Sequence, residues 1–228
     1  MWFTPQRRRG MEILDQPGVD PALRLRSLAD VSRSNMLFGG RAAVVAEVMR
    51  VLPCLGARAT LLDVGSGLGD IPAAARVAAL RHGIRMDVLG VDMAPELLSA
   101  SRTRGVEGVC ADAFRLPFAD SSVDVVTCSQ LLHHFPEAEA RILIQELHRV
   151  ARERVIVADL RRNWIAAAGF WLASFPLGFH PTTRHDGTLS VLRGFTAGEL
   201  SALVREAVGV TPVVRRRVGW RVSAVWST

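Results

Sequence analysis

One stretch limits what this chain can fold into more than any other. Leu61-Leu62-Asp63-Val64-Gly65-Ser66-Gly67-Leu68-Gly69-Asp70 runs from an apolar segment through an acid into a turn with glycine at alternate positions, then into residues with helical spacing. Apolar strand, glycine-rich turn and helix in that order belong to an open α/β sheet, where ligands sit at the carboxyl ends of the strands. Glycine at such a tip lets the backbone bend sharply and approach a ligand closely.

The central region keeps the same rhythm. Runs rich in Val, Ile and Leu at 60–64, 86–91, 106–111, 123–128 and 154–158 alternate with helix-like segments near 70–82, 95–104 and 137–150. Nearly continuous apolar strands separated by helices predict a mostly parallel sheet covered on both faces, and right-handed crossovers make it doubly wound. Upstream, helical spacing at 21–30 and about 35–52 predicts an N-terminal helical extension over 1–56, with residues 1–18 loosely ordered. Pro53 and Gly56 end it, and the main domain is expected over 57–228. Past residue 160 the alternation stops. An aromatic segment (163–179), a polar loop (181–187), a helix near 196–207 and two strand-like runs around Gly219 follow.

The turn itself narrows the ligand. A dinucleotide site wants glycine at the sixth position from Gly65, and here that residue is Asp70. An acid at a helix start is a poor neighbour for pyrophosphate. A ligand without phosphates but with positive charge suits Asp63 and the turn's carbonyls, and S-adenosylmethionine meets that description. Asp92 ends the second strand-like run, where a carboxylate can accept both ribose hydroxyls, and Asp112 follows the third, within reach of an adenine amino group. Met93 and Phe114 stand beside these acids as candidates to sandwich the adenine ring.

These residues resemble the class I S-adenosylmethionine-dependent methyltransferases. The resemblance rests on Asp63 to Gly69, on Asp92, on Cys110 to Val126, on Leu131-Leu132-His133-His134-Phe135 and on Glu146 to Val150, and covers about 58–160. It implies a seven-stranded sheet with a reversed last strand. It places Asp63, Gly65, Ser66, Gly67 and Gly69 in the cofactor turn, Asp92 on the ribose, and Asp112 with Ala113 on the adenine. Ser129 and Gln130 would face the methionine end and the substrate. The sequence looks like the small-molecule branch, which includes quinone-biosynthesis and natural-product enzymes. It therefore implies methylation, at oxygen or carbon, of a hydrophobic polyketide- or quinone-like acceptor, with S-adenosylhomocysteine as product. Residues 1–56 and a substrate-side insertion at about 163–195 fall outside the shared core.

Methyl transfer needs alignment more than acid–base help, and it asks for no metal; the three cysteines match no metal spacing. His133, His134 and His185, the last with Asp186 beside it, are the candidate bases, with His180 a further one. Each also has a structural reading: helix-start packing for the first two, and a turn at Asp186-Gly187 for the third. A nicotinamide oxidoreductase is disfavoured by Asp70 and by the absence of any Tyr. The net charge of +6, its cationic side carried by arginine alone, permits a nucleic-acid methyltransferase, although no aromatic-and-basic RNA-binding signature accompanies it. A non-catalytic cofactor-binding protein is the third reading. The apolar segment 164–179, flanked by Arg161 and Arg162, allows a peripheral membrane contact or a lid in which Trp171 and Phe175 meet the substrate. Cysteines read as buried thiols and the lack of a secretory pattern predict a cytoplasmic protein, monomer or homodimer.

Overall fold

The computed structural model describes residues 4–228; the first three residues of the expected extension lie outside the described residues. Seven strands form one sheet in the order β3-β2-β1-β4-β5-β7-β6: β1 Arg58–Val64, β2 Arg85–Asp92, β3 Glu107–Cys110, β4 Val123–Ser129, β5 Ala151–Leu160, β6 Val213–Arg217 and β7 Arg221–Ser227. Strands β1 to β5 are parallel, and β7 runs antiparallel to both β5 and β6. The chain winds outward in both directions from β1, so a crevice opens at the tips of β1 and β4.

Alternation along the strands builds two cores. Leu62, Val64, Val126, Val155 and Val157 face α5 (Glu137–Val150) and α8 (Ala197–Val208), while Ala59, Leu61, Val125 and Ile156 face α2 (Gly40–Val51) and α3 (Asp70–Leu80). Helix α5 shows why its sequence folds as it does. Ala140, Leu143, Ile144 and Leu147 recur at helical spacing and are all fully buried, whereas Glu137 and Glu139 favour the positive N-terminal end. Truncating Leu143 to Ala there would cost about 2–5 kcal/mol. Helix α4 (Pro95–Ser101) covers β3, and α1 (Pro21–Leu37) starts at an Asp20 cap and a first-turn proline.

Several local expectations change. The break between α1 and α2 sits at Phe38-Gly39, where Gly39 takes φ 78°, not near residue 31. The stretch 181–187 is no loop: it opens α7 (Pro181–Arg193), with Pro181 in its first turn and His180 Nδ1 accepting from Thr182 N. The turn signal of Asp186-Gly187 loses to tertiary contacts. Asp186 accepts from Ile13 N and Leu14 N, and Gly187 leaves room for the Phe170 ring, which a Cβ there would meet at 2.3 Å. The described part of the segment expected to be loose, residues 4–18, is held: Arg7 donates to Arg193 O and Phe135 O, and Glu12 is buried. Of the cysteines only Cys128 is buried; Cys54 and Cys110 are exposed. Around Gly219 the hairpin turn takes in Trp220, at φ 54°. No helix among the described residues is long and apolar enough to cross a membrane.

Candidate active site

The glycine turn folds against the neighbouring strand. Gly65 N and Ser66 N both donate to Val91 O, at 2.8 and 3.0 Å, and Gly67 N donates to Asp92 Oδ2 at 2.9 Å. Asp92 Oδ1 accepts from Ala94 N at 3.0 Å, so one carboxylate ties the turn to the start of α4. Gly65, Gly67 and Gly69 all lie in the left-handed region, which an L side chain enters at a cost. A Cβ on Gly69 would come within 2.9 Å of Ser101 Cβ, while one on Gly67 would meet only Leu28, at 3.5 Å. Leu25 and Leu28 of α1 close over this turn with Leu68 and Leu97.

The acids here share one electrostatic fate. Burial pushes the Asp63 carboxyl up to about 7, against the hydrogen bond from Thr127 and with help from the charges of Asp70 and Asp92. Burial also raises Asp70 and Asp92, partly offset at Asp92 by the amides of Ala94 and Gly67. A dry, acidic pocket of this kind favours a cationic ligand.

Beside the turn lies a cavity of about 850 Å³, large enough for a drug-sized molecule. Asp92, Met93, Gln130, His133 and His134 line it, so the second and fourth strand tips open into one space. The far wall comes from α6 (Trp164–Ala173) and α7, through Ile165, Phe170 and Val191, and Val31 and Phe38 add to it from the N-terminal region. Met93 is open to solvent. Asp112, Ala113 and Phe114 do not line this space: Asp112 Oδ1 accepts from Phe114 N, and the Phe114 ring meets Phe135 edge-on at 4.8 Å. His185 is likewise outside; its Nδ1 lies 2.8 Å from Asp186, whose carboxylate already holds the Ile13 and Leu14 amides. Trp171 and Phe175, which the lid reading would set against the substrate, meet edge-to-face at the exposed surface.

His133 and His134 sit in a charged nest. His133 Nδ1 is 2.7 Å from Asp159 Oδ1, and His134 Nδ1 is 2.8 Å from Asp15 Oδ2. Burial pushes Asp159 up, but the charge and hydrogen bond of His133 outweigh it and hold the carboxyl below its ordinary value.

A family model described as a methyltransferase domain matches residues 62–158. Over 180 residues the chain is 31% identical to a demethylmenaquinone methyltransferase of Roseiflexus sp., an alignment covering 72% of this chain and 73% of that protein. The chain belongs to the class I S-adenosylmethionine-dependent methyltransferases. A biotin biosynthesis bifunctional protein of Cellvibrio japonicus is 36% identical over 117 residues, which is 50% of this chain but only 22% of that relative's length. The magnesium protoporphyrin IX methyltransferase of Synechocystis PCC 6803, solved with bound cofactor, aligns over 93% of this chain and 99% of its own with a TM-score of 0.58; at 13% identity that likeness is one of fold.

The methyltransferase's own atoms fit its cofactor. Ser66 Oγ, Ser129 Oγ and Asp70 Oδ2 are buried with no hydrogen-bond partner among the described residues, and they lie in and around the turn and the tip of β4. Gln130, strained at φ 54°, is held by Arg221 Nη1 and by Asn35. Sequence reasoning missed Asp159, Glu12, Asp15 and Phe170. Asp159 lies near the end of β5 and follows the same rule of acids near strand tips that picked out Asp63 and Asp92. Glu12 and Asp15 carried no local signal, since only the folded chain brings them to His133 and His134.

Proposed function

We propose that this methyltransferase moves a methyl group from S-adenosylmethionine to a hydrophobic or aromatic small molecule, a polyketide- or quinone-like acceptor, at oxygen or carbon. One observation carries the reading: a single cavity runs from Asp92 and Met93 to an apolar wall of Ile165, Phe170 and Val191. Such a chamber favours a compact apolar guest over a polyanionic strand, and the quinone acceptor in the Roseiflexus relative's name points the same way. Bound, the cofactor supplies a methyl carbon already activated by its sulfonium. The protein then has to align an acceptor with that carbon, and such alignment is worth roughly 7–11 kcal/mol in favourable cases.

In this reading Asp92 takes the ribose hydroxyls, while Gly65, Ser66 and Gly67 carry the backbone of the turn and Asp63 and Ser129 the polar surroundings of the methionine end. Gln130, pinned by Arg221 and Asn35, stands between that end and the acceptor. His133 and His134 meet the acceptor's polar atom. With Nδ1 tied to Asp159 and Asp15, both rings turn Nε2 toward Glu12, and His134 is the more open of the two to an acceptor. The exposed face of α6 supports a peripheral membrane contact through Trp164, Trp171 and Leu172. Arg162 takes no part in it, because it is buried against Glu199.

The test is a transfer assay with deuteriomethyl cofactor against phenols, naphthoquinols and an RNA pool, read by mass spectrometry. Label should enter an apolar hydroxylated or quinol acceptor. Label only in RNA would replace this reading with a nucleic-acid one.

A further inference from the structure

Glu12, His133 and His134 come together where methyl transfer alone does not require them. We propose that these three side chains bind a divalent first-row transition-metal ion, through Nε2 of each histidine and a carboxylate oxygen of Glu12.

The geometry is close to that of a site. One ligand atom from each residue lies within 4.8 Å of the others. His133 Nε2 is 3.7 Å from Glu12 Oε1, and His134 Nε2 is 3.9 Å from Glu12 Oε2. Ligand atoms each about 2.1 Å from one tetrahedral ion lie roughly 3.4 Å apart; the two histidine–Glu12 contacts, made to different oxygens, exceed that by a few tenths of an ångström, and separations of up to 4.8 Å within the trio close by a larger side-chain adjustment. The buried Nε2 of His133 has no hydrogen-bond partner among the described residues. Leaving such an atom unmatched costs on the order of 1–3 kcal/mol, which an ion removes.

The surroundings are those of a ligand set. A carboxylate only accepts, so Asp159 and Asp15 each fix a proton on Nδ1, and in the neutral imidazole the Nε2 lone pair is the one left for an ion. This carboxylate–histidine pairing orients metal-binding imidazoles and raises their basicity. Ser190 Oγ and Arg193 Nη1 hold Glu12 through Oε1, at 2.7 and 3.3 Å, which sets the carboxylate plane. Glu12 and Asp15 face the guanidinium of Arg193, 3.3 and 3.6 Å away, while the charge of Asp159 acts on Arg7 and Arg221. Arg7 donates to the carbonyls of His133 and Phe135, and Arg221 to Gln130. Two imidazoles and one carboxylate select zinc, iron or manganese over magnesium or calcium, which prefer all-oxygen shells.

All three residues line the cavity, so open coordination positions would face the acceptor. That clause alone rests on the proposed function, and it narrows the acceptor to one bearing an oxygen ligand, such as a phenol, enol or hydroquinone. Ion binding does not rest on it.

The experiment is a titration of the full chain, stripped with chelator, with Co²⁺, followed by visible absorption and calorimetry. S-adenosylhomocysteine binding is measured on the same samples. The expected result is one Co²⁺ per chain, with visible bands that Zn²⁺ displaces. His134→Ala and Glu12→Gln should lose the bands, Asp15→Asn should weaken binding roughly tenfold, and His82→Ala should change nothing. Co²⁺ binding that is absent from a chain still taking up S-adenosylhomocysteine, or that is equal in all variants, overturns the site. Co²⁺ binding without S-adenosylhomocysteine binding keeps the site and counts against the methyl-transfer reading instead. Retained S-adenosylhomocysteine binding in His134→Ala and Glu12→Gln shows that those chains fold.

Discussion

Thr127 Oγ1 donates to Asp63 Oδ1 across 2.7 Å, from β4 to β1, and the acid it serves is almost fully shielded from water. One neutral donor does not offset that desolvation, so the Asp63 carboxyl sits at about 7 instead of near 4. The unfolded chain releases this proton near pH 4 and the folded chain near 7. Between those values the native state binds more protons, so its stability falls as pH rises. Urea unfolding from pH 5 to 8 should show wild type losing stability relative to Asp63→Asn, which keeps an acceptor for Thr127 without the charge. Parallel curves for the two proteins would mean that Asp63 is ionised throughout.

Gly67 and Gly69 predict a split between function and folding. Both have positive φ, but a Cβ on Gly69 runs into Ser101 and Val106, whereas one on Gly67 meets Leu28 at an ordinary contact distance. Gly69→Ala should lower stability by about 1–3 kcal/mol. Gly67→Ala should cost less in thermal stability and more in S-adenosylhomocysteine affinity, because Gly67 N also sets the position of Asp92. Thermal denaturation and calorimetry on both variants check the order.

Asp92 accepts from two amides of different elements, Gly67 N and Ala94 N. In Asp92→Asn the side-chain nitrogen faces one of these donors and cannot accept. Hydrogen bonds to charged groups are worth about 1.5–3 kcal/mol, so S-adenosylhomocysteine affinity should drop on the order of tenfold to a hundredfold. Circular dichroism should remain that of wild type.

The legible parts of this fold are those where one short segment decides its own fate. The apolar runs of β1, β2 and β4 and the leucine spacing of α5 announce themselves, and so do Gly65, Gly67 and Asp92 at the strand tips. What escaped the sequence depends on partners far along the chain. Asp186-Gly187 reads as a turn, yet it is helical because the amides of Ile13 and Leu14 and the ring of Phe170 occupy the space around it. Glu12 reads as part of a loose leader, yet Ser190 and Arg193 bury it beside His133. The apolar run 164–179 gave no hint that Phe170 faces inward and Trp171 outward, since nearly every residue in it is apolar.

Glu47 shows how far the N-terminal region is locked to the sheet. Its fully buried carboxylate receives Arg215, Arg217 and the hydroxyl of Ser223, joining α2 to the β6–β7 hairpin. Glu47→Ala strands Arg217 with little access to water and should cost about 3 kcal/mol. Chemical denaturation measures it; a loss below the scatter of surface substitutions would show that water satisfies both guanidinium groups.

Phe170 and Trp171 are adjacent on α6 and should behave oppositely. Phe170 packs between Phe38 and Phe179, with ring centroids 6.2 and 6.1 Å away, and lines the cavity. Phe170→Ala removes apolar wall from the proposed acceptor chamber, so the acceptor KM should rise several-fold while S-adenosylhomocysteine affinity holds. Trp171 touches Phe175 at the surface, and Arg184 lies 3.7 Å over the Phe175 ring. Aromatic rings with arginines on top suit the headgroup region of an anionic bilayer. Trp171→Ser should therefore leave the KM for a dissolved acceptor unchanged and reduce sedimentation with vesicles containing phosphatidylglycerol. If Trp171→Ser raised that KM instead, α6 would have to turn its outer face toward the acceptor during turnover, and the helix would be a moving lid.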